Sequence, residues 1–215
     1  MVTTSRPRGR PPKEETPATE DEVLAAALRA FATHGFNGVS VRTLSRELGV
    51  SHNLLHQRFG SKQALWRAAV DWGFGNLVAE ILGADEESAE PLARLRSFVR
   101  TFARFSAEHP ELQQLMNIEG AQYGDRLAYI CDTFIAPSIA HYLPLRDVLV
   151  ARGEIRPESP EILFYIITSG SAAMFASRAL TERLFINAPL SPDRVDEYAD
   201  AFADLVMNAL RVSVN

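Results

Sequence analysis

Only one of the 215 residues is a cysteine, Cys131, and the sequence has no long uninterrupted apolar run. A single thiol excludes an internal disulfide framework and is typical of a reducing cytoplasm, where we expect this protein. The longest charge-free apolar stretch, 162–177, is shorter than the ~18 residues of a membrane span, and the first residues lack the apolar core of a signal peptide. We therefore expect a buried helix at 162–177 and no membrane partner.

Catalytic and cofactor-binding patterns are lacking as well. The sequence contains no Gly-x-Ser-x-Gly turn and no glycine-rich phosphate loop, and no cation next to Cys131 would activate the thiol. His52 and His56 are four residues apart, a spacing that suits a metal ion, but no nearby carboxylate or cysteine offers a third ligand. These absences predict a protein that is not an enzyme and that binds no metal or other cofactor.

The net charge of −5 is divided unevenly along the chain. Residues 1–67 contain ten basic and six acidic side chains, whereas residues 68–215 contain twelve and twenty-one. A basic N-terminal part followed by an acidic remainder favours an anionic partner, such as nucleic acid, at the N-terminal part only. Chance asymmetry would give the same counts, so this interpretation needs a motif to support it.

Four helices with capped starts are predicted in the first third of the chain. Thr19 and Glu22 form a capping box ahead of a helical apolar period, which Gly35 is expected to end. Three serines are placed to cap the next helices, and glycines end the first two of these: Ser40 to Gly49, Ser51 to Gly60 with the helix over 52–59, and Ser61 towards Leu77.

The rest of the chain keeps a helical period and shows no strand pattern, so the predicted fold class is all-α. An apolar stripe runs from Leu92 to Phe105, and Pro137 and Pro144 are expected to kink or break the helical stretch that contains them. The further helices are expected over 111–118, 122–150 (as one or two helices), 160–184 and 192–212.

Residues 40–62 have the pattern of a helix-turn-helix, in which a short helix, a turn with glycine and a second short helix follow one another. Leu55 and Phe59 form the inner face of the second helix. A helix fits the major groove of DNA, where polar side chains can pair with base edges. The outer face offers five such residues: His52, Asn53, His56, Gln57 and Arg58. A merely solvated helix face is the alternative interpretation.

Two longer runs carry a family resemblance. The patterns F-x-x-x-G-F-x-G-V-S-V at 31–41 and L-x-x-x-L-G-V-S-x-x-x-L-x-x-x-F-G-S-K-x-x-L at 44–65 resemble the N-terminal domain of TetR-family regulators. Residues 1–18 are rich in Pro, Arg, Thr and Glu and have no apolar period, so we expect a disordered basic arm there. The resemblance implies a helix-turn-helix DNA-binding domain over 19–67 and a helical effector-binding and dimerisation domain over 68–215. Beyond residue 67 only length and helical character resemble the family.

The resemblance also implies which residues touch DNA. A helix N-terminus favours an anion, so the residues at the starts of the second and fourth helices are expected to reach phosphate or the groove edge. The implied contacts are Ser40, the amide of Val41, Arg42, Ser51 and Lys62. Asn53-Leu54 stands where the family commonly has Gly-Thr or Gly-Ala, and His56 stands where it commonly has tyrosine. The operator preference of other members therefore cannot be transferred. By geometry, Asn53 and Gln57 suit adenine, and Arg58 suits guanine or phosphate.

The arm contains a second DNA-binding pattern. Residues 6–13 read R-P-R-G-R-P-P-K and resemble an AT-hook, in which prolines keep the chain extended. Arg8 and Arg10 would then lie in a narrow A·T-rich minor groove. The alternative is an unspecific basic tail that contributes only counterion release.

The effector site is indicated only by the types of residue in the second part of the chain. Aromatic and methionine side chains with a few hydroxyls suit a mostly apolar small molecule, although most such residues at helical spacing belong to a core. The candidates are Phe102, Phe105, Met116, Tyr123, Phe134, Tyr142, Met174 and Phe175.

The expected function is that of a homodimeric repressor. The dimer would form through 160–184 and 192–212 and would read a pseudo-palindromic operator in double-stranded DNA. A small effector would then favour a spacing of the two reading helices that no longer fits the operator. Two alternatives stay open: activation instead of repression, and an architectural protein that binds A·T-rich DNA broadly.

Overall fold

A computed structural model describes residues 18–86, 90–185, 191 and 194–212. In this part of the chain the only β feature is an isolated bridge between Ile155 and Arg211, so the predicted all-α class is confirmed. The α-helices are α1 (Glu20–Gly38), α2 (Val41–Glu47), α3 (His52–Phe59), α4 (Lys62–Glu86), α5 (Pro91–Glu108), α6 (Pro110–Glu119), α7 (Asp125–Ile130), α8 (Ala136–Ala151), α9 (Pro160–Tyr165), α10 (Ser171–Ala176), α11 (Arg178–Leu184) and α12 (Val195–Leu210).

The predicted caps at the first helices are present. The Thr19 amide donates to Glu22 Oε2 at 2.7 Å and the Glu22 amide donates to Thr19 Oγ1 at 3.3 Å, which completes the capping box. The hydroxyl oxygens of Ser40, Ser51 and Ser61 each accept from an amide three residues further on, at 3.4, 3.1 and 3.1 Å. These bonds satisfy amides that have no partner within their helix, so local sequence fixes where α2, α3 and α4 begin.

Gly35 interrupts the first helix, as expected. It takes φ 66° and ψ 167°, which makes a kink, and the helical turns that follow it reach Gly38. Glycine tolerates this positive φ, whereas other residues rarely do. The fourth helix continues past Leu77 to Glu86 because the apolar period extends to Ile81, which is buried.

Pro137 and Pro144 both lie within one continuous helical stretch. A π-helical turn at Cys131–Ile135 joins α7 to α8 just before Pro137, and the Ala136 amide donates to the Cys131 carbonyl. Proline has no amide hydrogen to donate, and a wider turn is a common way to accommodate this loss. Pro144 lies inside α8 without ending it.

The expected single helix over 160–184 is broken. A π-helical turn at Ile166–Gly170 joins α9 to α10, and Ser177 then takes φ −104° and ψ 43°, outside the helical region. The stretch Pro160–Ala176 and helix α11 are bent by 73° at this point. Thr181 supports the bend because its hydroxyl donates to the Met174 carbonyl at 2.8 Å. Among the described helices none alone is long and apolar enough to cross a membrane, and only this bent pair reaches that length and composition together.

Three apolar clusters hold the described helices together. The largest surrounds Phe31 and Trp66 and joins α1 and α4 to α5, α6 and α7. A second cluster packs α5 and α8 against α12 around Val99 and Leu149. The smallest cluster consists of Val23, Val50 and Leu55 and fixes α3 against the start of α1. Helix α4 therefore shares one core with both the N-terminal helices and the helices that follow.

Candidate nucleic-acid interface

Helices α2 and α3 form the helix-turn-helix expected from the sequence. Gly49 makes the turn with a φ of 65°, and the Val50 amide donates to the Ser45 carbonyl at 3.0 Å. Only 2% of Leu55 is exposed, so this residue anchors α3 by its inner face. The opposite face of α3 is left open to solvent.

The outer residues of α3 fall on three different sides of the helix. Successive residues rotate by about 100° around the helix axis, so Asn53, Leu54 and Gln57 point away from the buried Leu55 and the half-buried Phe59. All three are exposed. They form the outward face of α3, whereas the histidines and the arginine lie on its flanks.

His52 and His56 lie on the flank nearest the starts of α2 and α4. They line a cavity of about 220 Å³ together with Val41, Ser61 and Lys62. Two helix N-termini, a lysine and two imidazoles offer donors and positive charge to an anion such as a DNA phosphate. Among the described residues no group of three or more His, Cys, Asp or Glu is arranged to hold a metal ion.

Arg58 lies on the other flank and forms an ion pair. Its Nη2 donates to Glu20 Oε2 of α1 at 2.6 Å, and both side chains are more than a third exposed. An exposed ion pair contributes at most about 1 kcal/mol, so a phosphate could replace Glu20 at little cost.

Lys62, at the start of α4, lies against the aromatic ring of Phe36. Its Nζ is 4.7 Å from the ring centroid and 3.5 Å from the Asn37 carbonyl oxygen, to which it donates. Arg126 of α7 lies over the same ring, with Cζ 4.6 Å from the centroid. Burial, followed by the charge of Arg126, lowers the pKa of Lys62.

The end of α6 and the start of α7 meet the kink of α1 at this point. Arg126 Nε donates to Glu119 Oε1 at 2.8 Å, and Glu119 is only 2% exposed. A Cβ atom at Gly35 would lie 3.8 Å from Cγ2 of Ile118. We call Gly35, Phe36, Ile118, Glu119 and Arg126 the α1–α7 joint. Only its glycine and phenylalanine belong to the N-terminal pattern that the sequence reveals.

Most of the proposed effector-site residues come together in the interior. Five of them belong to or pack against the cluster around Trp66: Phe102, Phe105, Met116, Phe134 and Tyr142. Phe98, which no sequence pattern distinguishes from the rest of its apolar stripe, stacks on Tyr142 with ring centroids 4.1 Å apart. Phe98, Phe102 and Tyr142 also pack against the second cluster, so they lie between the two cores.

The other three candidates lie elsewhere. Phe175 is buried and its ring centroid is 4.9 Å from that of Tyr198 on α12, while Met174 is half-buried. Tyr123 is fully exposed and lines no interior space, because it lies in the turn before α7. Arg8 and Arg10 of the arm lie outside the described residues.

Comparison with known proteins agrees with this geometry. Residues 23–69 match the family described as "Bacterial regulatory proteins, tetR family", and residues 91–206 match "Tetracyclin repressor-like, C-terminal domain". The HTH-type transcriptional regulator RutR of Escherichia coli K12 is 29% identical over 150 residues, which are 70% of each chain.

Two solved structures show the same fold. The ketosteroid transcriptional regulator KstR2 of Mycobacterium tuberculosis has a TM-score of 0.70 at 17% identity, covering 93% of this chain and 98% of its own. AibR, solved in complex with isovaleryl coenzyme A and operator DNA, has a TM-score of 0.67 at 18% identity, with 88% and 96% covered.

Proposed function

Because this chain belongs to the TetR family of bacterial transcriptional regulators, we propose that it represses transcription as a homodimer on a pseudo-palindromic operator. A small, mostly apolar molecule that binds in the helices after α4 releases the repressor from its operator. The observation that carries the proposal is the capped helix α3, which is anchored by Leu55 and exposes Asn53 and Gln57 on its outward face.

Each part of the interface has its own task in this proposal. Asn53 and Gln57 pair with adenine edges in the major groove, where their amides make two hydrogen bonds each. The phosphate and groove-edge contacts come from both flanks and from the helix starts: Ser40, Val41, Arg42, Ser51, His52, His56, Arg58 and Lys62. Phosphate contacts give affinity and register, whereas the base contacts give sequence preference.

We propose residues 19–67 as the reading head and 68–215 as the effector and dimerisation domain, with α4 shared between them. The arm over 1–18 adds Arg8 and Arg10 to the minor groove beside the operator half-site. Its contribution is separable, since deletion of residues 1–13 leaves the capping box at Thr19 and the start of α1 in place.

The proposed dimer surface is the exposed apolar face of α9, α11 and α12. Large apolar side chains at this density are unusual on a monomer and indicate a partner surface. The residues that carry it are Ile162, Tyr165, Ile166, Leu180, Leu184, Phe185 and Leu205, all at least 47% exposed. A second copy would cover them and would hold two α3 helices one DNA turn, about 34 Å, apart.

Two leucine-to-glutamate variants test the proposed dimer surface. We expect Leu205→Glu to give monomers in sedimentation equilibrium, since burying an unpaired carboxylate at an interface is costly. Leu82→Glu is the matched control, because Leu82 is also an exposed leucine, 41% open, but on α4. A dimer that persists at the same concentrations in both variants would show that α12 is not part of the interface.

The proposed effector site lies between the two larger cores, where Phe98, Phe102 and Tyr142 meet. These rings pack on one another in the described state, so a ligand has to separate them. Such a movement would reach α6 and α7, and from there the α1–α7 joint and Lys62. AibR is bound to an acyl-coenzyme A in its structure, which supports an effector with an apolar acyl part for this fold.

The test of the proposed function is operator binding. Fluorescence anisotropy with DNA selected from random sequence should show binding that discriminates against scrambled DNA by about 1,000-fold or more. The double variant Asn53→Ala with Gln57→Ala should lose most of this preference, whereas Gln122→Ala, an exposed glutamine in the turn before α7, should keep it. Binding that ignores sequence and is lost on deletion of residues 1–13 would instead favour the architectural function.

The release step needs a separate measurement. Compounds that raise the thermal stability of the protein are added to the operator complex, and those that bind between the cores should lower operator affinity. If compounds that bind between the two cores never alter operator affinity, the proposed release mechanism is wrong. The proposed binding of an operator is not affected by that result. A higher affinity for DNA in their presence would favour activation or co-repression.

A further inference from the structure

Leu54 is an apolar residue on the outward face of the reading helix. Its side chain is 40% exposed and belongs to none of the apolar clusters formed by the described residues. At about 100° per residue it lies beside Gln57, on the side of Arg58, and every other outward side chain of α3 is polar. An exposed leucine on its own is ordinary, so its place on this face is what needs an explanation.

The position of Leu54 is fixed from three sides. Its amide donates to Ser51 Oγ at 3.1 Å, which sets the first turn of α3. The next residue, Leu55, is the buried anchor of the helix. One turn further on, the guanidinium of Arg58 is drawn towards α1 by Glu20. The helix therefore presents Leu54 next to Gln57, at the edge of the outward face that faces Arg58.

Base edges in the major groove offer one apolar group, the C5-methyl of thymine. A leucine in the groove gains by covering this methyl and loses by covering the amino group of cytosine, which it leaves without a hydrogen-bond partner. We infer that Leu54 is a specificity-determining residue that contacts a thymine methyl in each operator half-site. This inference rests on the proposed function, and it places the thymine beside the adenines read by Asn53 and Gln57.

The test removes the methyl from the DNA and the leucine from the protein. Each thymine of the selected operator is replaced in turn by deoxyuridine, and dissociation constants are measured by anisotropy for the wild-type protein and for Leu54→Ala. We expect one position per half-site at which the wild type loses about fourfold in affinity, the effect of uncovering one methyl-sized group. Leu54→Ala should bind thymine and deoxyuridine equally well at that position.

Two controls separate the contact from a general loss of structure. Asn53→Ala should bind more weakly but keep the full sensitivity to deoxyuridine at that position, since the methyl contact remains. Leu54→Met, which keeps an apolar side chain of similar volume, should retain a sensitivity of about twofold or more. Unchanged circular dichroism and thermal unfolding of Leu54→Ala would show that α3 is intact.

The possible outcomes distinguish this inference from the proposed function. If the wild type prefers an operator but no deoxyuridine position affects it differently from Leu54→Ala, the inference is overturned and the function stands. If the wild type binds no sequence better than scrambled DNA, the proposed function fails and the inference fails with it. Loss of methyl sensitivity in Leu54→Ala alone, at one position per half-site, supports both.

Discussion

Lys62 and Arg126 lie over the same aromatic ring, that of Phe36, at 4.7 and 4.6 Å from its centroid. The lysine begins α4 beside the reading helix, whereas the arginine belongs to α7 and is paired with Glu119. The ring attracts both cations, and the buried carboxylate of Glu119 compensates the charge of Arg126. The α1–α7 joint therefore links a proposed phosphate contact directly to α7 and to the proposed effector domain.

We predict that Phe36→Leu weakens operator binding although Phe36 is not one of the proposed DNA contacts. A ring contact with a cation contributes about 0.5–1 kcal/mol, so losing it in both protomers, about 1–2 kcal/mol in total, should cost about 5- to 30-fold in affinity. Lys62→Met should make the negative slope of log K, the association constant for DNA, against log salt less steep by about 0.9 for each lysine removed. In the Lys62→Met background, Phe36→Leu should have little further effect. Equal losses in both backgrounds would show that Phe36 acts on DNA binding by another route.

A second prediction concerns the ion pair of the same joint. Arg126→Ala leaves the carboxylate of Glu119, 2% exposed, without its partner and should destabilise the protein by about 2–4 kcal/mol in urea unfolding at fixed protomer concentration. Adding Glu119→Gln should recover a large part of this loss. Arg152→Ala is the control, because the Arg152–Glu154 pair is on the surface and is worth about 0.5 kcal/mol or less. Similar losses for Arg126→Ala and Arg152→Ala would contradict the prediction.

The parts of the fold that were predictable from sequence are those with a local cause. The starts of α1, α2 and α3 follow from side chains that bond to amides three residues away, as at Thr19, Ser40 and Ser51. The turn at Gly49 and the end of α3 at Gly60 follow from glycines with positive φ. The outline of the interface therefore follows from interactions between residues that are close neighbours in the chain.

The rest depends on contacts between distant parts of the chain. Glu20 and Arg58 are 38 positions apart, and no spacing in the sequence indicates that they form a pair. The break at Ser177 was missed because the apolar period continues through it, while the backbone leaves the helical region. Arg126 is on α7 and Phe36 is on α1, far apart in the chain, so only tertiary packing brings them together.

Gly73 provides a prediction about packing within α4. A Cβ atom there would lie 2.6 Å from Cδ2 of Leu28 and 2.9 Å from Cδ2 of Leu112, so α1 and α6 approach α4 closely at this residue. Gly73→Ala should destabilise the protein through overpacking, despite the helix propensity gained. Gly75→Ala is the matched control, because a Cβ at Gly75 meets nothing within 4 Å. This variant should be more stable than the wild type by up to about 1 kcal/mol.

The difference between these two alanine variants is the quantity to measure. Both add one methyl to the same helix, so their difference in the free energy of unfolding isolates the contact with Leu28 and Leu112 from helix propensity. We expect Gly73→Ala to be less stable than Gly75→Ala by about 2 kcal/mol in urea unfolding. Equal stabilities would mean that the two leucines move aside without cost.

Tyr198 gives a prediction about alkaline pH. Its hydroxyl donates to the Ser171 carbonyl at 2.6 Å, its ring packs against Phe175, and burial raises its pKa to about 12. An unfolded tyrosine titrates near pH 10, so above about pH 10 the unfolded state loses this proton first. The stability that Tyr198 contributes is therefore complete below about pH 10 and is lost as the pH rises towards 12.

Tyr198→Phe should reveal this loss. At neutral pH the variant should be less stable by about 1 kcal/mol, because the Ser171 carbonyl loses its donor. This deficit should shrink in urea unfolding between about pH 10 and about pH 11, since phenylalanine has no proton to lose as the wild type weakens. Tyr123→Phe is the control, because Tyr123 is fully exposed, and it should match the wild type across the same range. A deficit for Tyr198→Phe that stays constant with pH would show that the hydroxyl of Tyr198 titrates like that of an unfolded tyrosine.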